Sequence, residues 1–183
     1  MIAVTAKRLL PADRDFLKVV ENICRLRPRM IILREKELSG EEYKSLFESC
    51  LPICRRSGIM LSAHSHPDIL DELGAEAVQL PLSLFKDRRL RLPSGIQKGV
   101  SVHSAAEAVQ AESLGADWLI AGHIYDTACK SGLPGRGLAF LREVTSAVSI
   151  PVYAIGGIET AARQKAVREA GAADHCLMSS LMK

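Results

Sequence analysis

The sequence predicts a (β/α)8 barrel: eight parallel strands, each but the last followed by a helix, in one domain over residues 1–183 with a truncated final helix. Three observations predict it. Short apolar runs of β-like composition alternate with longer stretches that carry apolar residues at helical spacing. Such alternation implies parallel pairing through right-handed crossovers. A helix stop leading straight into an apolar run recurs as Leu-Gly-Ala-Glu at 73–76, Leu-Gly-Ala-Asp at 114–117 and Ala-Gly-Ala-Ala-Asp at 170–174. Two strand–helix units fit between each stop and the next, which brings the count to eight. A doubly wound open sheet is the structural alternative, and eight strands favour the barrel. Barrels of this kind usually run to about 200 residues or more. At 183 residues the loops must be minimal and the last helix short or missing.

The elements follow in order. Residues 2–5 form a first strand. Residues 11–27 read as a helix, with Phe16, Leu17, Val20, Ile23, Cys24 and Leu26 on one apolar stripe. Residues 30–33 form a strand ending in Arg34-Glu35-Lys36. Ser39 is an N-cap with Glu42 at the capping-box position, and the helix it opens turns Tyr43, Leu46, Phe47, Cys50 and Leu51 inward. A third strand, 59–62, runs into Ala63-His64-Ser65-His66, and 67–73 form a short helix closed by Gly74. Strand 77–80 leads through Pro81 to a solvated basic stretch at 86–91. Strand 99–102 ends in His103, after which Ser104 and Glu107 begin a helix running to Leu114. Strand 118–121 ends in Gly122-His123 and a Gly-rich basic loop. Helix 138–148, strand 151–155, helix 160–170 and strand 175–178 complete the pattern, and Ser179-Ser180 follow the eighth strand.

In such a barrel the working groups gather at the carboxyl ends of the strands. Those ends carry Arg34 and Lys36, His64 and His66, His103, His123, Gly156 and Gly157, and Ser179 and Ser180. Four of the five histidines lie there; His175 is the exception. His123 beside a mobile basic loop with Lys130 suits proton transfer on an anionic substrate. Gly156-Gly157 after the seventh strand and Ser179-Ser180 after the eighth suit a phosphate, because bare backbone N–H groups can approach it closely.

Composition narrows the classes. A net charge of +3 with scattered basic residues and eight aromatics (Trp 1, Tyr 3, Phe 4) argues against nucleic acid as a partner. No apolar run nears the roughly 20 residues a bilayer requires, and no signal peptide opens the chain, so membrane association is not expected and a cytoplasmic location is. Five cysteines without a Cys-x-x-Cys pair argue against a disulfide framework and against a zinc ribbon.

Gly99-Val-Ser-Val-His-Ser104, Gly122-His-Ile-Tyr-Asp-Thr-Ala-Cys-Lys130, Ile150-Pro-Val-Tyr-Ala-Ile-Gly-Gly-Ile158 and Leu177-Met-Ser-Ser180 resemble the thiamine phosphate synthase/TenI superfamily of small barrels, over nearly the whole chain. Synthases of that superfamily join a pyrimidine pyrophosphate to a thiazole phosphate with magnesium. The resemblance implies Gln-x-Arg-x-Lys after the second strand, where this chain keeps Arg34 and Lys36 but has Ile32 for the glutamine. It implies Asn-Asp-Arg after the third strand, with the aspartate on magnesium; here His64-Ser65-His66 stand instead. A second acidic ligand follows the fourth strand in synthases, whereas Pro81-Leu82-Ser83-Leu84 offers no carboxylate before Asp87. Gly122-His123 with the Gly-x-x-Gly-Arg-Gly segment at 132–137 is similar to the TenI branch.

That branch implies a thiazole tautomerase, which aromatises a phosphorylated carboxythiazole with the residue matching His123 as acid and base, and with no metal or redox cofactor. Gly156, Gly157, Ser179 and Ser180 are then expected on the phosphate. Arg34, Lys36 and Lys130 are expected on carboxylate or phosphate oxygens, and His103 shapes the pocket. A magnesium-dependent synthase is the alternative reading. Two others are a metal enzyme built on His64-x-His66 and a non-catalytic sensor of a thiamine-related phosphate. With no final helix, exposed barrel surface could be covered by a second copy of the chain.

Overall fold

The computed structural model describes residues 1–182. Its strands are β1 (Ile2–Val4), β2 (Met30–Leu33), β3 (Met60–His64), β4 (Ala77–Pro81), β5 (Gln97–Val102), β6 (Trp118–Gly122), β7 (Val152–Ile155) and β8 (Asp174–Leu177). They follow one another in chain order around a closed barrel. The helices are α1 (Phe16–Arg25), α2 (Gly40–Arg56), α3 (Leu70–Leu73), α4 (Leu82–Phe85), α5 (Ala105–Ser113), α6 (Gly137–Ala147) and α7 (Ala161–Glu169). After β8 the described residues form a 3-10 turn, Ser179–Met182. Among the described residues no helix is long and apolar enough to cross a membrane.

The chain divides into two compact units. One holds Met1–Gln79, Arg91–Gln97 and the residues from Met178 onward; the other holds Leu80–Leu90 and Lys98–Leu177.

In the first unit β1, β2, β3 and β4 pair in parallel, with Ile2 opposite Met30, Met30 opposite Met60 and Ser62 opposite Ala77. All four residues of β2 are buried, as a parallel strand covered on both faces requires. Helix α1 starts later than its apolar spacing suggests, because Asp15 is the N-cap: its carboxylate accepts the Leu17 N–H at 2.9 Å. The stripe is Phe16, Val19, Val20, Ile23 and Cys24. Leu26, expected on that stripe, is 58% exposed; it is the C-cap residue, and the chain leaves the helix there through Arg27 at φ +49°.

The capping box of α2 is present in full: Glu42 N–H reaches Ser39 Oγ at 3.3 Å, and Ser39 N–H reaches the Glu42 carboxylate at 2.9 Å. Tyr43, Phe47, Cys50, Ile53 and Cys54 are buried, while Leu46 and Leu51 are only half-buried on the flanks. Burying a side chain such as Phe47 contributes about 1.5–3 kcal/mol.

In the second unit β5 to β8 pair in parallel, with Gly99 opposite Trp118, Leu119 opposite Val152 and Tyr153 opposite Asp174. The repeated helix stop is now explained. Gly115 and Gly171, like Gly74 in the first unit, have φ of +86°, +94° and +56°. That left-handed backbone ends a helix and lets the next strand begin within a few residues. Val100, Leu119, Ala121, Leu141, Val144, Ala154 and Val167 form a fully buried core. Two details differ from expectation. A short helix, α4, occupies the segment after Pro81, with Leu82 and Phe85 buried. Strand β8 begins and ends one residue earlier than its apolar run, because Ala173 N–H pairs with Val152 O and starts the ladder there.

Candidate active site

In the second unit β6 delivers His123 directly after its last residue, Gly122. A Cβ on Gly122 would lie 2.7 Å from Ile155 O, so only glycine lets β6 and β7 approach this closely. The Gly122–His123 peptide is cis. The loop that follows folds back: Arg136 N–H donates to His123 O at 2.9 Å, and Gly137 N–H donates to Ile124 O at 2.9 Å. Gly135 N–H donates to the Asp126 carboxylate at 2.7 Å. These bonds tie the loop back on itself. The tip, around Asp126, Lys130 and Leu133, lines an open depression of about 520 Å³.

His123 is half-buried, and its Nε2 lies 3.1 Å from Leu133 O. A ring nitrogen facing a carbonyl oxygen must carry the proton, so Nε2 donates and Nδ1 is the ring's basic atom. His103 is placed differently. Its Nδ1 donates to Gly122 O at 2.7 Å, which ties the ring to the end of β6. Its own backbone N–H donates to the Glu107 carboxylate at 2.6 Å, while Glu107 N–H donates to Ser104 Oγ at 3.1 Å. The expected capping pair at 104 and 107 thus exists, with Glu107 reaching one residue further back, to His103. Lys130 closes an exposed 3-10 turn, Ala128–Lys130, on the tip of the loop.

Gly156 and Gly157 follow β7 with φ of +106° and +66°. A Cβ on Gly156 would fall on His123 Cβ and sit 2.9 Å from its Cα; one on Gly157 would sit 2.7 Å from Asp126 O and 2.9 Å from Tyr125 Cβ. These glycines thus seat the His123 loop, a role the sequence did not suggest. Their carbonyls are engaged: Tyr125 N–H donates to Gly156 O at 3.0 Å, and Arg163 Nη1 donates to Gly157 O at 2.7 Å. Arg163 also lies over the Tyr125 ring, 4.5 Å from its centroid. Reading the sequence missed Arg163, because nothing local links an arginine on α7 to a tyrosine after β6.

The first unit holds the other expected residues. Arg34 and Lys36 follow β2, with Arg34 half-buried and Lys36 exposed. His64, at the end of β3, is held neutral: burial, then the charges of Arg34 and Lys36, push its pKa down to about 3. Glu35, between the two cations in sequence, is buried and turned to Thr5 Oγ1 (2.5 Å) and Lys7 N–H (2.8 Å). Burial raises its pKa against those hydrogen bonds. Ser179 and Ser180 open the 3-10 turn after β8.

Magnesium requires hard oxygen ligands. Among the described residues no three His, Cys, Asp or Glu side chains group as a metal site would need. At the ends of β2 and β3 the groups are two cations, a neutral imidazole and a carboxylate already occupied. The donor set does not fit the magnesium that the superfamily resemblance implies.

Eight parallel strands closed into a barrel, with helices between them, define a (β/α)8 barrel. Comparison with known proteins gives the particular family. The thiamine monophosphate synthase (TMP-TENI) family model matches residues 1–181, and the chain belongs to that family of thiamine biosynthesis. A thiamine-phosphate synthase of Desulfitobacterium hafniense (strain Y51) is 34% identical over 179 residues, covering 96% of this chain and 86% of that protein. A putative thiamine-phosphate synthase 2 of Aquifex aeolicus is 33% identical, covering 79% of this chain and 78% of that protein. The structure of a thiamine phosphate pyrophosphorylase from Pyrococcus furiosus superposes with a TM-score of 0.81 at 25% identity, over 100% of this chain and 87% of that one.

Proposed function

We propose that this protein is the proton-transferring member of its family, a thiazole tautomerase that aromatises a phosphorylated carboxythiazole. The observation that carries the reading is the setting of His123. It stands at the end of β6 with Nε2 donating to Leu133 O, so Nδ1 is available as a base. In the reaction Nδ1 takes the proton from the sp3 ring carbon that bears the carboxylate. The electron pair moves through the ring to the exocyclic alkylidene carbon, which then receives a proton from the imidazolium. Atoms and charge balance, and the aromatic ring supplies the drive. Imidazole, with a reference pKa of about 6.5, suits both steps near neutrality. A positioned acid–base group of this kind contributes ~10²–10⁴-fold.

The phosphate is assigned to the N–H groups of Gly156 and Gly157, whose carbonyls are already engaged within the protein. The assignment of Ser179 and Ser180 to the phosphate rests on the family resemblance alone. Lys130, Arg34 and Lys36 are the cations assigned to substrate oxygens, and His103 fixes the strand end rather than reacting. No metal or redox group is required.

The second reading is a magnesium-dependent synthase, and it is favoured by the names of the similar proteins. The donor set described above weighs against it. One preparation decides between them. Unaromatised carboxythiazole phosphate in EDTA is followed by ultraviolet absorbance and proton NMR. Pyrimidine pyrophosphate, thiazole phosphate and magnesium are assayed in parallel for thiamine phosphate. Rapid aromatisation in EDTA without coupling is the expected result; coupling without aromatisation overturns it.

A further inference from the structure

The His123 ring is held by a single carbonyl. Its Nε2 lies 3.1 Å from Leu133 O, so the ring takes its orientation from whatever holds the 133–135 segment. Leu133 N–H donates to Lys130 O at 3.1 Å, a turn internal to the loop that moves with it. Pro134 has no N–H to give. The first backbone donor beyond Leu133 is therefore Gly135, and it donates to the Asp126 carboxylate at 2.7 Å. The next two, Arg136 and Gly137, reach His123 O and Ile124 O at 2.9 Å each. Asp126 thus adds, with a side chain, the last rung of a short ladder whose other two rungs are backbone.

Asp126 is itself well seated. Tyr125 N–H donates to Gly156 O at 3.0 Å, and the Tyr125 ring lies against the Arg163 guanidinium. Asp126 O rests on the turn after β7, where a Cβ on Gly157 would come within 2.7 Å of it. On the returning side of the loop Gly135 lies flat on the outgoing backbone. A Cβ there would stand 2.6 Å from Ile124 O and 2.7 Å from Tyr125 Cα. Close approach brings the Gly135 N–H to Asp126, and the carboxylate holds it; a charged acceptor makes such a bond roughly twice as strong as a neutral one. Asp126 is exposed, so its substitution leaves the buried core intact.

We propose that Asp126 is a positioning residue for the proton transfer. Through Gly135 it fixes the Leu133 carbonyl, and through that carbonyl it fixes the setting of the His123 ring. The catalytic consequence rests on the tautomerase reading, whereas the setting of the ring does not.

The test compares the full chain with Asp126→Ala, with Asp126→Asn, and with Asp126→Ala combined with His123→Ala. Asparagine keeps an oxygen acceptor for the Gly135 N–H and drops the charge. Two readouts need no turnover. The first is the proton–carbon NMR signals of the His123 ring, assigned with His123→Gln. The second is amide exchange at Gly135. In Asp126→Ala the ring signals are expected to move toward those of a free histidine, and Gly135 exchange to quicken by about tenfold. In Asp126→Asn both are expected to stay near the parent. In the aromatisation assay Asp126→Ala is expected to lower kcat by about 10–100-fold, the effect of misplacing a reacting group by roughly 1 Å, with KM within about threefold. Asp126→Asn is expected to recover most of that loss. The double variant is expected to be no slower than His123→Ala alone, because Asp126 acts only through that ring.

Circular dichroism checks that each variant is folded. Ring signals unmoved in Asp126→Ala overturn the proposal, as does Asp126→Asn impaired as deeply as Asp126→Ala. Losses that multiply in the double variant, or a raised KM at unchanged kcat, overturn it too, since Asp126 would then act on the substrate and not through His123. Ring signals that move as described in a chain that does not aromatise its substrate would uphold the positioning and sink the tautomerase reading alone.

Discussion

Gly156→Ala tests whether the turn after β7 sets the position of His123. Two penalties meet at this residue. Its φ of +106° is a conformation that an alanine adopts with strain, about 1–3 kcal/mol. The added methyl would also fall on His123 Cβ, 2.9 Å from His123 Cα and 3.2 Å from Ile124 N. Overpacking against such neighbours costs about 1–3 kcal/mol, because either the histidine or the turn must move. Gly132→Ala is the control. Its φ is +82°, and its Cβ would meet nothing within 4 Å, so it carries the backbone penalty alone. The gap between the two variants, about 1–3 kcal/mol, is then the contribution of the contact with His123. Urea unfolding of the parent and both variants measures it, provided the slopes agree. In thermal unfolding each kcal/mol shifts Tm by about 2–4 °C for a chain of this size. Turnover should fall in Gly156→Ala far more than in Gly132→Ala. Equal stability and equal turnover in the two variants would refute the packing argument.

Four further outcomes follow from the same structure. His123→Ala should keep the fold and lose ~10²–10⁴ of the aromatisation rate, measured at saturating substrate; an unchanged rate removes His123 from the mechanism. His64 has a folded pKa of about 3 against an ordinary value of 6.5, so the unfolded chain binds its proton first. Its contribution to stability is complete above pH 6.5 and is lost as pH falls toward 3, at a limiting slope of about 1.4 kcal/mol per pH unit. Urea midpoints from pH 7 to pH 4 should be flatter in His64→Gln by that one-proton slope, and identical slopes would contradict the burial described. Arg163→Ala should speed amide exchange in residues 124–136, since the 4.5 Å stacking on Tyr125 and the bond to Gly157 O are both lost. Tyr43→Phe leaves the His64 N–H without its acceptor and should cost about 1–3 kcal/mol in urea unfolding.

The legible part of the molecule is the part written in short range. Ser39 with Glu42, the helix begun by Ser104 and the glycines at 74, 115 and 171 each act within four residues of themselves. From them the alternation, the parallel pairing and the barrel could be inferred, and so could the positions of His103, His123 and Arg34 at strand ends. What was hidden depends on residues brought together across the chain. The sequence reads glycine at 156 only as a phosphate turn; the fold adds that His123 lies where its Cβ would be. Tyr43 reads as a core aromatic on α2, yet its hydroxyl bridges Leu33 O and the His64 N–H. Leu26 was misread for a local reason: helical periodicity carries no mark of the residue at which the chain departs from the helix.

The similarity to proteins named synthases and the proton-transfer reading draw on different residues. Identity of 34% over 179 residues is a figure for the whole chain, in which positions that build strands, stops and caps far outnumber the side chains at strand ends. The choice between coupling two substrates on a cation and moving one proton falls to a handful of side chains at strand ends. At those positions this chain has Ile32, His64, Ser65, His66 and the Pro81-Leu82-Ser83-Leu84 segment. None offers an ionised oxygen, and Arg34 and Lys36 add charge of the wrong sign for a cation. A family name therefore transfers with the scaffold, whereas the chemistry must be read from what each strand presents at its end. Restoring the carboxylate after β3 with Ser65→Asp probes that distinction physically. Manganese binding read by electron paramagnetic resonance should remain undetectable in the parent. In the variant it should remain weak, because the two cations persist and the acidic ligand after β4 is still missing. Tight manganese binding by the parent chain would show that the donor set has been misjudged.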